Sequence, residues 1–477
     1  MKNNHELYGI MRRIESALNE PKFRGYEMGA TINDILVTCL LNGNYSNSGM
    51  NCMRNIAKSV VVLLEPSCTR ALPSSFSDRI AFTWMHDRVD YRDLVIPLVD
   101  LYGPERSLVI GGMTSMEKAL PAGTPFIRWK DIRRAFDKMK WMAEFRKVAI
   151  AWLITLAREL RNADLSFKYL PLLYYGLISQ TQKIMVFERL SDQIRPKAIV
   201  TEYDRSALSS CLLLAANRVN IPTITMVHGA SFPYPAYGMY PVIADKVMCW
   251  GELQKAQFMD CGVDPDKLYI TGCQRLSRDI LSDRSEVRKR IGVGEDSILV
   301  VLPTNPIKPE LKLQLASDFC RGIACIENAV GLIRLHPAEA VSEYLTIARE
   351  FPEVKILSND SLTLDESLAA ADIVVCHNSG YGSDALIKGR PVIVLDTIDQ
   401  PLLSTREMID KAGCPCAGSS AELRQILLEL LADGSVRRGS SGKAEAYVHS
   451  LCAAFGDDAT RNIAAIVDNA VAVRSRA

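Results

Sequence analysis

The sequence predicts two α/β domains, each built around a doubly wound parallel sheet. The chain has 477 residues, whereas a single hydrophobic core rarely grows beyond about 250–300 residues. Apolar, β-branched runs alternate with helical patterns in both halves, as in parallel sheets covered by helices. A charged helical stretch at 282–296 interrupts this alternation. We therefore predict an N-terminal domain at 1–288, a C-terminal domain at 289–455, and a last helix at 456–477 that crosses back to the first domain.

Strands are predicted where an apolar run ends in turn residues. The predicted strands of the first half are 34–41, 58–66, 106–112, 196–204, 221–229, 245–251 and 266–272, and those of the second half are 297–306, 329–337, 353–359, 371–380 and 390–396. Ligands of open α/β sheets bind beyond the carboxyl ends of the strands. The residues that follow these runs are therefore the candidates for function.

Residues 128–161 depart from the alternation. They carry ten Lys/Arg and four Asp/Glu, with apolar residues at helical spacing. One interpretation is a long surface helix or hairpin over the first sheet. The other is a basic amphipathic patch that contacts a membrane surface, where an enzyme acting on lipid-linked acceptors would work.

The composition is that of a soluble globular protein, with 48% hydrophobic and 23% charged residues. A formal net charge of +1 gives no reason to expect a nucleic acid partner. The N-terminus lacks the apolar core of a signal peptide, and the longest apolar stretch, 148–157, is shorter than the roughly 20 residues of a membrane helix. Thirteen cysteines without zinc-ligand spacing fit buried thiols in a reducing cytoplasm, the expected location.

Two predicted strands of the first half end in titratable side chains. His228 follows the run 221–227, and Gly229 after it permits a close backbone approach. An imidazole at this position can accept a proton or hydrogen-bond a phosphate, or it can simply bond a local backbone group. Glu202 and Asp204 end the preceding strand and are also candidate bases, although Asp204 could instead cap the next helix.

The strands of the second half end in residues suited to an anion. Thr304 and Asn305 follow the first strand. Arg334 and His336 end the next, and because they are two residues apart on an extended strand they are expected on one face. A cation and an imidazole on one face suit a phosphate. The segment "HNSGYGSDALIKG" then predicts a Gly/Ser loop that opens a short helix.

The start of that short helix is the third anion-binding candidate. Backbone N–H groups exposed at a helix start, with Ser379, Gly380 and Ser383 beside them, form an anion site. The chain has no P-loop, no strand–GxGxxG–helix fingerprint, no HExxH and no nucleophile elbow. These absences argue against nucleotide hydrolases of the P-loop type, zinc proteases and serine hydrolases.

Residues from about 195 to 400 resemble GT-B glycosyltransferases that build bacterial surface polysaccharides such as capsule and lipopolysaccharide. The matching motifs are the acidic strand end, the strand ending in His228-Gly229, "RLHP" at 334–337 and "SGYGSDALIKGRPVI" at 379–393. Similar elements occur in Kdo and sialic acid transferases and in CDP-glycerol phosphotransferases, and a non-hydrolysing UDP-sugar 2-epimerase shares the architecture. The resemblance implies two Rossmann-like domains facing a central cleft.

The resemblance also implies roles for single residues. Ser379, Gly380 and Ser383 would receive the donor phosphates, and Asp384, where many members have glutamate, would hold a ribose or sugar hydroxyl. The His336-Pro337 element binds the nucleotide in the sialyltransferase-like members. The acidic motif that carries the base in those members has no clear counterpart here, so the base stays open among His228, Glu202 and Asp204.

The acceptor side is expected in the first domain. There Gly229 would let a ligand approach the backbone, and Tyr234 and Tyr237 would stack on sugar faces, or else pack within their own loop. Because protein cations and a helix start would neutralise the leaving group, no metal or other cofactor is expected.

The sequence therefore predicts a metal-independent glycosyltransferase that moves a sugar from a nucleotide-sugar donor to a hydroxyl of a surface-glycan or lipid-linked acceptor. The alternatives are a CDP-alditol phosphotransferase of the teichoic-acid type, a UDP-sugar 2-epimerase-like enzyme and a non-catalytic sugar-nucleotide-binding module. The donor nucleotide, the sugar, the acceptor, the stereochemical outcome and the oligomeric state stay open.

Overall fold

The computed structural model describes residues 4–36, 57, 76–85, 89–229, 241–305, 307–324, 326–337, 339–377, 379–398, 405–432 and 442–474. The chain divides into two compact units. Unit 1 comprises Met1–His228, Tyr234–Arg275 and Gly456–Ala477, and unit 2 comprises Gly229–Pro233 and Leu276–Phe455.

Unit 1 is built on a parallel sheet of seven strands in the order β3-β2-β1-β4-β5-β6-β7. The strands are β1 (Ile80–Trp84), β2 (Ser107–Gly111), β3 (Phe126–Arg128), β4 (Ala198–Thr201), β5 (Thr223–Met226), β6 (Lys246–Cys249) and β7 (Leu268–Ile270). Most residues of these strands are buried, as expected when helices cover both faces of a parallel sheet. The order runs outward in one direction from β1 and in the other from β4, so β1 and β4 flank the reversal.

The helices of unit 1 precede and connect these strands. They are α1 (Asn4–Ala17), α2 (Asn33–Leu36), α3 (Val89–Tyr102), α4 (Thr114–Glu117), α5 (Trp129–Ile132), α6 (Lys138–Asn162), α7 (Leu170–Ile194), α8 (Ser209–Arg218) and α9 (Glu252–Asp260). Asp137 caps α6 by accepting a hydrogen bond from the Lys140 backbone at 3.0 Å.

The segment 128–161 forms α5 and α6, and α6 packs against α7. The Trp141 indole donates to the Thr181 hydroxyl at 3.0 Å, and the Tyr174 hydroxyl donates to the Ala149 carbonyl at 3.1 Å. In the described ranges of the chain, no helix is both long and apolar enough to cross a membrane.

Unit 2 has a parallel sheet of six strands in the order β10-β9-β8-β11-β12-β13. The strands are β8 (Ile298–Pro303), β9 (Ala329–Arg334), β10 (Lys355–Leu357), β11 (Ile373–Cys376), β12 (Val392–Leu395) and β13 (Cys416–Ala417). The helices are α10 (Arg284–Arg290), α11 (Pro309–Ile323), α12 (Leu345–Glu350), α13 (Leu364–Ala370), α14 (Gly380–Ile387), α15 (Arg406–Asp410), α16 (Ser420–Ala432) and α17 (Gly442–Leu451). The order reverses between β8 and β11, which repeats the arrangement of unit 1.

Helix α10 belongs to unit 2, whereas the predicted domain boundary between residues 288 and 289 falls within this helix. The reason is Arg288, which is fully buried and donates to the carbonyls of Gly294 and Ala370, each at 2.8 Å, and to the Asp372 carboxylate at 3.1 Å. Asp372 in turn accepts the Leu299 N–H of β8 at 2.8 Å. These bonds join α10 to the start of the second sheet.

The last helix, α18 (Gly456–Arg474), lies in unit 1. Its Ala464 carbonyl accepts from the Tyr102 hydroxyl at 3.0 Å, and its Asn462 side chain donates to the Thr271 carbonyl at 3.2 Å. Arg474 donates to the Pro196 carbonyl at 2.6 Å, just before β4.

The predicted fold class, with two doubly wound parallel sheets, is confirmed, but some predicted strands are wrong or missing. The prediction omits β1, β3 and β13. Of the predicted strand 34–41, the described residues 34–36 are helical, since they continue the turn at Gly29–Ile32 and the Asn33 side chain donates to Glu15 at 2.7 Å. The remainder of that strand and the predicted strand 58–66 lie outside the described residues.

Replacement of Arg288 by methionine should lower the free energy of unfolding by about 3 kcal/mol, because it leaves buried carbonyl and carboxylate acceptors without their donor. The matched control is Arg290→Met in the same helix. Its exposed ion pair with Glu366 (2.7 Å) should contribute less than about 1 kcal/mol. Urea denaturation followed by circular dichroism measures both, and an equal effect of the two variants would contradict the assignment of Arg288.

Candidate functional site

Each sheet has one point where its strand order reverses, and open α/β sheets bind ligands beyond the strand ends at such a point. In unit 1 this point lies between β1 and β4, and in unit 2 it lies between β8 and β11. Most of the residues singled out in the sequence follow β4, β5, β8, β9 and β11. Each unit therefore has its own candidate group of strand ends.

The Glu202 carboxylate bridges the reversal point of unit 1. It is fully buried and accepts the Met85 N–H at 2.8 Å, just after β1. The Thr83 hydroxyl also donates to it, and the Thr201 hydroxyl lies 3.3 Å away. Because Thr83 and Thr201 are partners in the β1–β4 register, the carboxylate joins the ends of both strands.

Burial raises the pKa of Glu202 to about 7, although the hydrogen bonds from Thr83 and Met85 oppose the shift. A buried carboxyl with such a pKa can hold a proton near neutral pH. Since no part of this side chain is exposed, the structure gives it the contacts of a positioning group rather than those of a group that meets a substrate.

Asp204 holds the segment that leads into β6. Its carboxylate is 3% exposed and accepts the Ile243 N–H at 2.8 Å and the Ala244 N–H at 3.4 Å. Burial raises its pKa. It does not cap α8, since the residue at that helix start is Leu208, which makes no side-chain cap.

His228 is the partly exposed titratable group among the three predicted catalytic residues. Its ring lies edge-on to Tyr203 at 5.0 Å and to Tyr91 at 5.3 Å between ring centroids. Tyr203 follows β4 and Tyr91 lies in α3, so aromatic rings from two other elements fix the orientation of the imidazole. Gly229 is partly buried, whereas Tyr234 and Tyr237 lie outside the described residues.

Two further side chains of unit 1 follow strand ends but were not predicted. Trp250, after β6, is buried and donates to the Val227 carbonyl at 2.7 Å, which fixes the backbone next to His228. Arg275, after β7, is partly exposed and lies over the Trp250 ring at 5.0 Å. The predicted strand 266–272 ends at Gly272, so a search that included the three residues after it would have found Arg275.

In unit 2, Thr304 and Glu339 fix the position of His336. The Thr304 hydroxyl accepts the His336 N–H at 2.8 Å and donates to the Glu339 carboxylate. Glu339 also accepts from Lys312 and from the Tyr344 hydroxyl, each at 3.1 Å. Thr304 is thus buried, and its hydroxyl is engaged in hydrogen bonds within the protein. The His336 residue is partly exposed. Glu339, three residues after His336, was not predicted as a functional residue.

Arg334 does not share an exposed face with His336. It is 6% exposed, donates to the Asn359 amide oxygen at 2.6 Å and to the Leu362 carbonyl at 3.2 Å, and lies over the Tyr381 ring at 5.5 Å. Burial lowers the pKa of its guanidinium. The side chain therefore connects β9 to the segment before α13, and it packs against α14 through the Tyr381 ring.

Helix α14 begins at the strand end beside the reversal point. Ser379 is its N-cap and accepts the Tyr381 N–H at 3.2 Å. Gly380 is exposed, and a Cβ added there meets no heavy atom within 4 Å. At Gly382, by contrast, a Cβ would lie 2.7 Å from the Cys376 sulfur, so this glycine lets the helix pack closely on β11.

Ser383 and Asp384 point into the protein. Ser383 is 3% exposed and hydrogen-bonds the Tyr447 hydroxyl. Asp384 is 7% exposed, and its charge acts on Arg334 and Tyr381. Their contacts are structural, whereas the exposed surface of the α14 start is formed by Ser379 and Gly380.

His377, which was not predicted, is buried directly after β11. Its Nδ1 lies 3.2 Å from the Leu395 carbonyl, an acceptor, so Nδ1 carries the proton. Burial lowers the pKa of this imidazole. In the neutral form of this ring, which burial favours, Nε2 is a hydrogen-bond acceptor. The sequence signal for this residue is its position directly after the apolar run that ends at Cys376.

Four predicted residues of unit 2 have exposed or partly exposed side chains or backbone at these strand ends: Asn305, His336, Ser379 and Gly380. An amide, an imidazole, a hydroxyl and a helix start can together bind a polar, anionic ligand. Across the described ranges, no group of three or more His, Cys, Asp or Glu residues has a geometry suited to a metal ion.

Solved structures with the same fold cover most of this chain. A UDP-N-acetylglucosamine 2-epimerase from Neisseria meningitidis bound to UDP-N-acetylglucosamine is 11% identical, with a TM-score of 0.51 over 81% of this chain and 98% of its own. The Anabaena protein HepE in complex with UDP and glucose is 14% identical, with a TM-score of 0.50 over 82% and 99%. A glycosyltransferase from Rickettsia africae is 11% identical, with a TM-score of 0.51 over 83% and 99%.

These neighbours have the GT-B fold, which confirms the predicted fold class. Identities this low establish the fold alone. No protein-family model and no curated protein matches the chain.

The Glu202 carboxyl should make stability depend on pH. Its folded-state pKa of about 7 lies above the ordinary 4.5, so its favourable contribution is complete below about pH 4.5 and is lost as the pH rises through 7. Between about pH 5 and pH 8, wild type should lose about 2 kcal/mol relative to Glu202→Gln, which cannot ionise. Urea denaturation at both pH values tests this.

The control for that experiment is Glu105→Gln, whose side chain is 92% exposed. The stability difference between this variant and wild type should be nearly the same at both pH values. A Glu202→Gln variant that behaves like the control would contradict the shifted pKa.

Proposed function

We propose that the chain is a nucleotide-sugar-dependent glycosyltransferase with a hydroxyl acceptor. The observation that carries this proposal is the reversal point of the unit 2 sheet, where the exposed start of α14 and the side chains of Asn305 and His336 follow neighbouring strands. The fold adds support, because neighbours with this fold were solved with UDP, glucose or UDP-N-acetylglucosamine bound.

On this proposal, unit 2 binds the donor. The backbone N–H groups at the α14 start and the Ser379 hydroxyl hydrogen-bond the donor phosphate, and His336 contacts the same group. The layer beneath these groups contains the buried side chains of His377, Arg334 and Asp384. Arg334 orients α14 through Tyr381 and does not contact the donor.

Unit 1 supplies the base. As the bond between the anomeric carbon and the donor phosphate oxygen breaks, the acceptor oxygen bonds to that carbon and its proton passes to the His228 imidazole. The nucleotide leaves with the electron pair on its phosphate oxygen. Glu202 and Asp204 are too deeply buried to take this role, so they position the strand ends around His228. The proposed acceptor is a surface-glycan or lipid-linked hydroxyl.

A UDP-sugar 2-epimerase is the second candidate, favoured by the 2-epimerase among the structural neighbours. Incubation with UDP-N-acetylglucosamine alone separates the two, since an epimerase forms the C2 epimer without an acceptor, as proton NMR detects. A phosphodiester product from a CDP-alditol would instead support the phosphotransferase alternative. Binding without turnover of any donor would support a non-catalytic module.

The variant Gly380→Leu tests the donor site. The added side chain has room in the folded protein but occupies the space in front of α14, so nucleotide affinity should fall at least tenfold, or about 1.4 kcal/mol. Isothermal titration with UDP, GDP, dTDP, CDP and CMP first identifies the nucleotide and then compares the variants.

The matched control is Gly442→Leu at the first residue of α17, where a Cβ also meets no heavy atom within 4 Å. This variant should bind the nucleotide like wild type, and both variants should keep the wild-type melting temperature. Undiminished affinity in Gly380→Leu would refute the donor site at α14.

The variant His228→Asn tests the base. Loss of proton transfer should lower kcat by about 100-fold or more with little change in the KM for the donor. The control is His449→Asn, whose side chain is 69% exposed in α17. Nucleotide release, measured in a coupled assay, gives both values, and a normal kcat in His228→Asn would exclude this histidine as the base.

A further inference from the structure

Helix α6 exposes a stripe of large apolar side chains on the surface of unit 1. The exposed fractions are 74% for Met139, 47% for Met142, 71% for Ile150, 39% for Leu153 and 61% for Ile154. Successive residues of an α-helix are about 100° apart, which places these five on one side of the helix. The stripe runs about 22 Å along the helix axis, at 1.5 Å per residue. Single exposed apolar residues are ordinary, but five on one side of a helix mark an interaction surface.

The opposite side of α6 is anchored in the core. Trp141, Phe145, Trp152 and Leu156 are buried there, and the Trp152 indole donates to the Pro21 carbonyl at 3.1 Å. The orientation of the helix is therefore fixed by the fold. The apolar stripe is a rigid, outward-facing part of the domain.

Positive charge accompanies the stripe. Helix α6 contains six Lys/Arg and two Glu, a formal charge of +4, whereas the whole chain has +1. Both glutamates are engaged in ion pairs, Glu144 with Lys147 at 2.9 Å and Glu159 with Arg158 at 3.2 Å. By helical spacing, Arg146 lies within the stripe, and Lys140, Lys147 and Arg158 line one edge of it.

We propose that this face of α6 binds the surface of an anionic lipid bilayer, with the helix axis parallel to the membrane plane. Apolar side chains of this size insert at the boundary between headgroups and acyl chains, and adjacent Lys and Arg pair with anionic headgroups. A protein partner would account for the apolar stripe, but the local excess of positive charge along it matches an anionic surface. This inference is independent of the proposed reaction.

Co-sedimentation of the full chain with vesicles tests the proposal. Binding should be strong with vesicles of phosphatidylcholine and phosphatidylglycerol, weak with phosphatidylcholine alone, and reduced as the salt concentration rises. The double variants Ile150→Ser/Ile154→Ser and Lys140→Gln/Lys147→Gln should each bind at least about tenfold more weakly.

The control is Leu428→Ser, which removes a side chain that is 50% exposed on α16 of unit 2. It should bind vesicles like wild type, and all variants should keep the wild-type melting temperature. Equal binding of the wild type and the Ile150→Ser/Ile154→Ser variant would overturn the proposal. A second result would also overturn it: no vesicle binding, together with a dimer that light scattering detects in the wild type but not in the Ile150→Ser/Ile154→Ser variant. The stripe would then bind a second copy of the chain.

Discussion

The buried Glu202 carboxylate is the interaction on which the unit 1 site depends. It accepts hydrogen bonds from the Met85 N–H, just after β1, and from the Thr83 hydroxyl. It therefore lies at the point where the strand order of the sheet reverses. The carboxyl ends of the strands of a parallel sheet lie at one edge, and backbone groups that are buried there need hydrogen-bond partners from the protein. The oxygens of the Glu202 carboxyl group supply acceptors to the ends of both β1 and β4.

In unit 2, the Glu339 carboxylate is the hydrogen-bond acceptor that connects the strand ends. Glu339 gathers the Thr304 hydroxyl, the Lys312 ammonium and the Tyr344 hydroxyl, and Thr304 then holds the His336 backbone. In both units, several predicted site residues form hydrogen bonds within a buried polar network. A partly exposed histidine, His228 in unit 1 and His336 in unit 2, lies next to that network. This division between supporting and accessible groups reduces the set of residues that can act on a ligand.

The sequence was sufficient to predict the two parallel sheets and the edge where the candidate site lies, because β-branched runs followed by Gly, Pro or polar residues mark strand ends such as those of β5 and β11. It was insufficient for β1, an interior strand of the sheet, since Ile80–Trp84 contains fewer β-branched residues than β5 or β11. The roles of Arg334 and Ser383 also could not be predicted. Their partners, among them Asn359 and Tyr447, are far away in the chain, and only the fold brings them close.

The central claim is that unit 2 binds a nucleotide at the reversal point of its sheet. Hydrogen–deuterium exchange with mass spectrometry, with and without each of UDP, GDP, dTDP, CDP and CMP, tests it most directly. The account predicts that one nucleotide slows exchange in the segments that contain Asn305, His336 and the start of α14. Slower exchange confined to other segments, or unchanged exchange with every nucleotide, would contradict it.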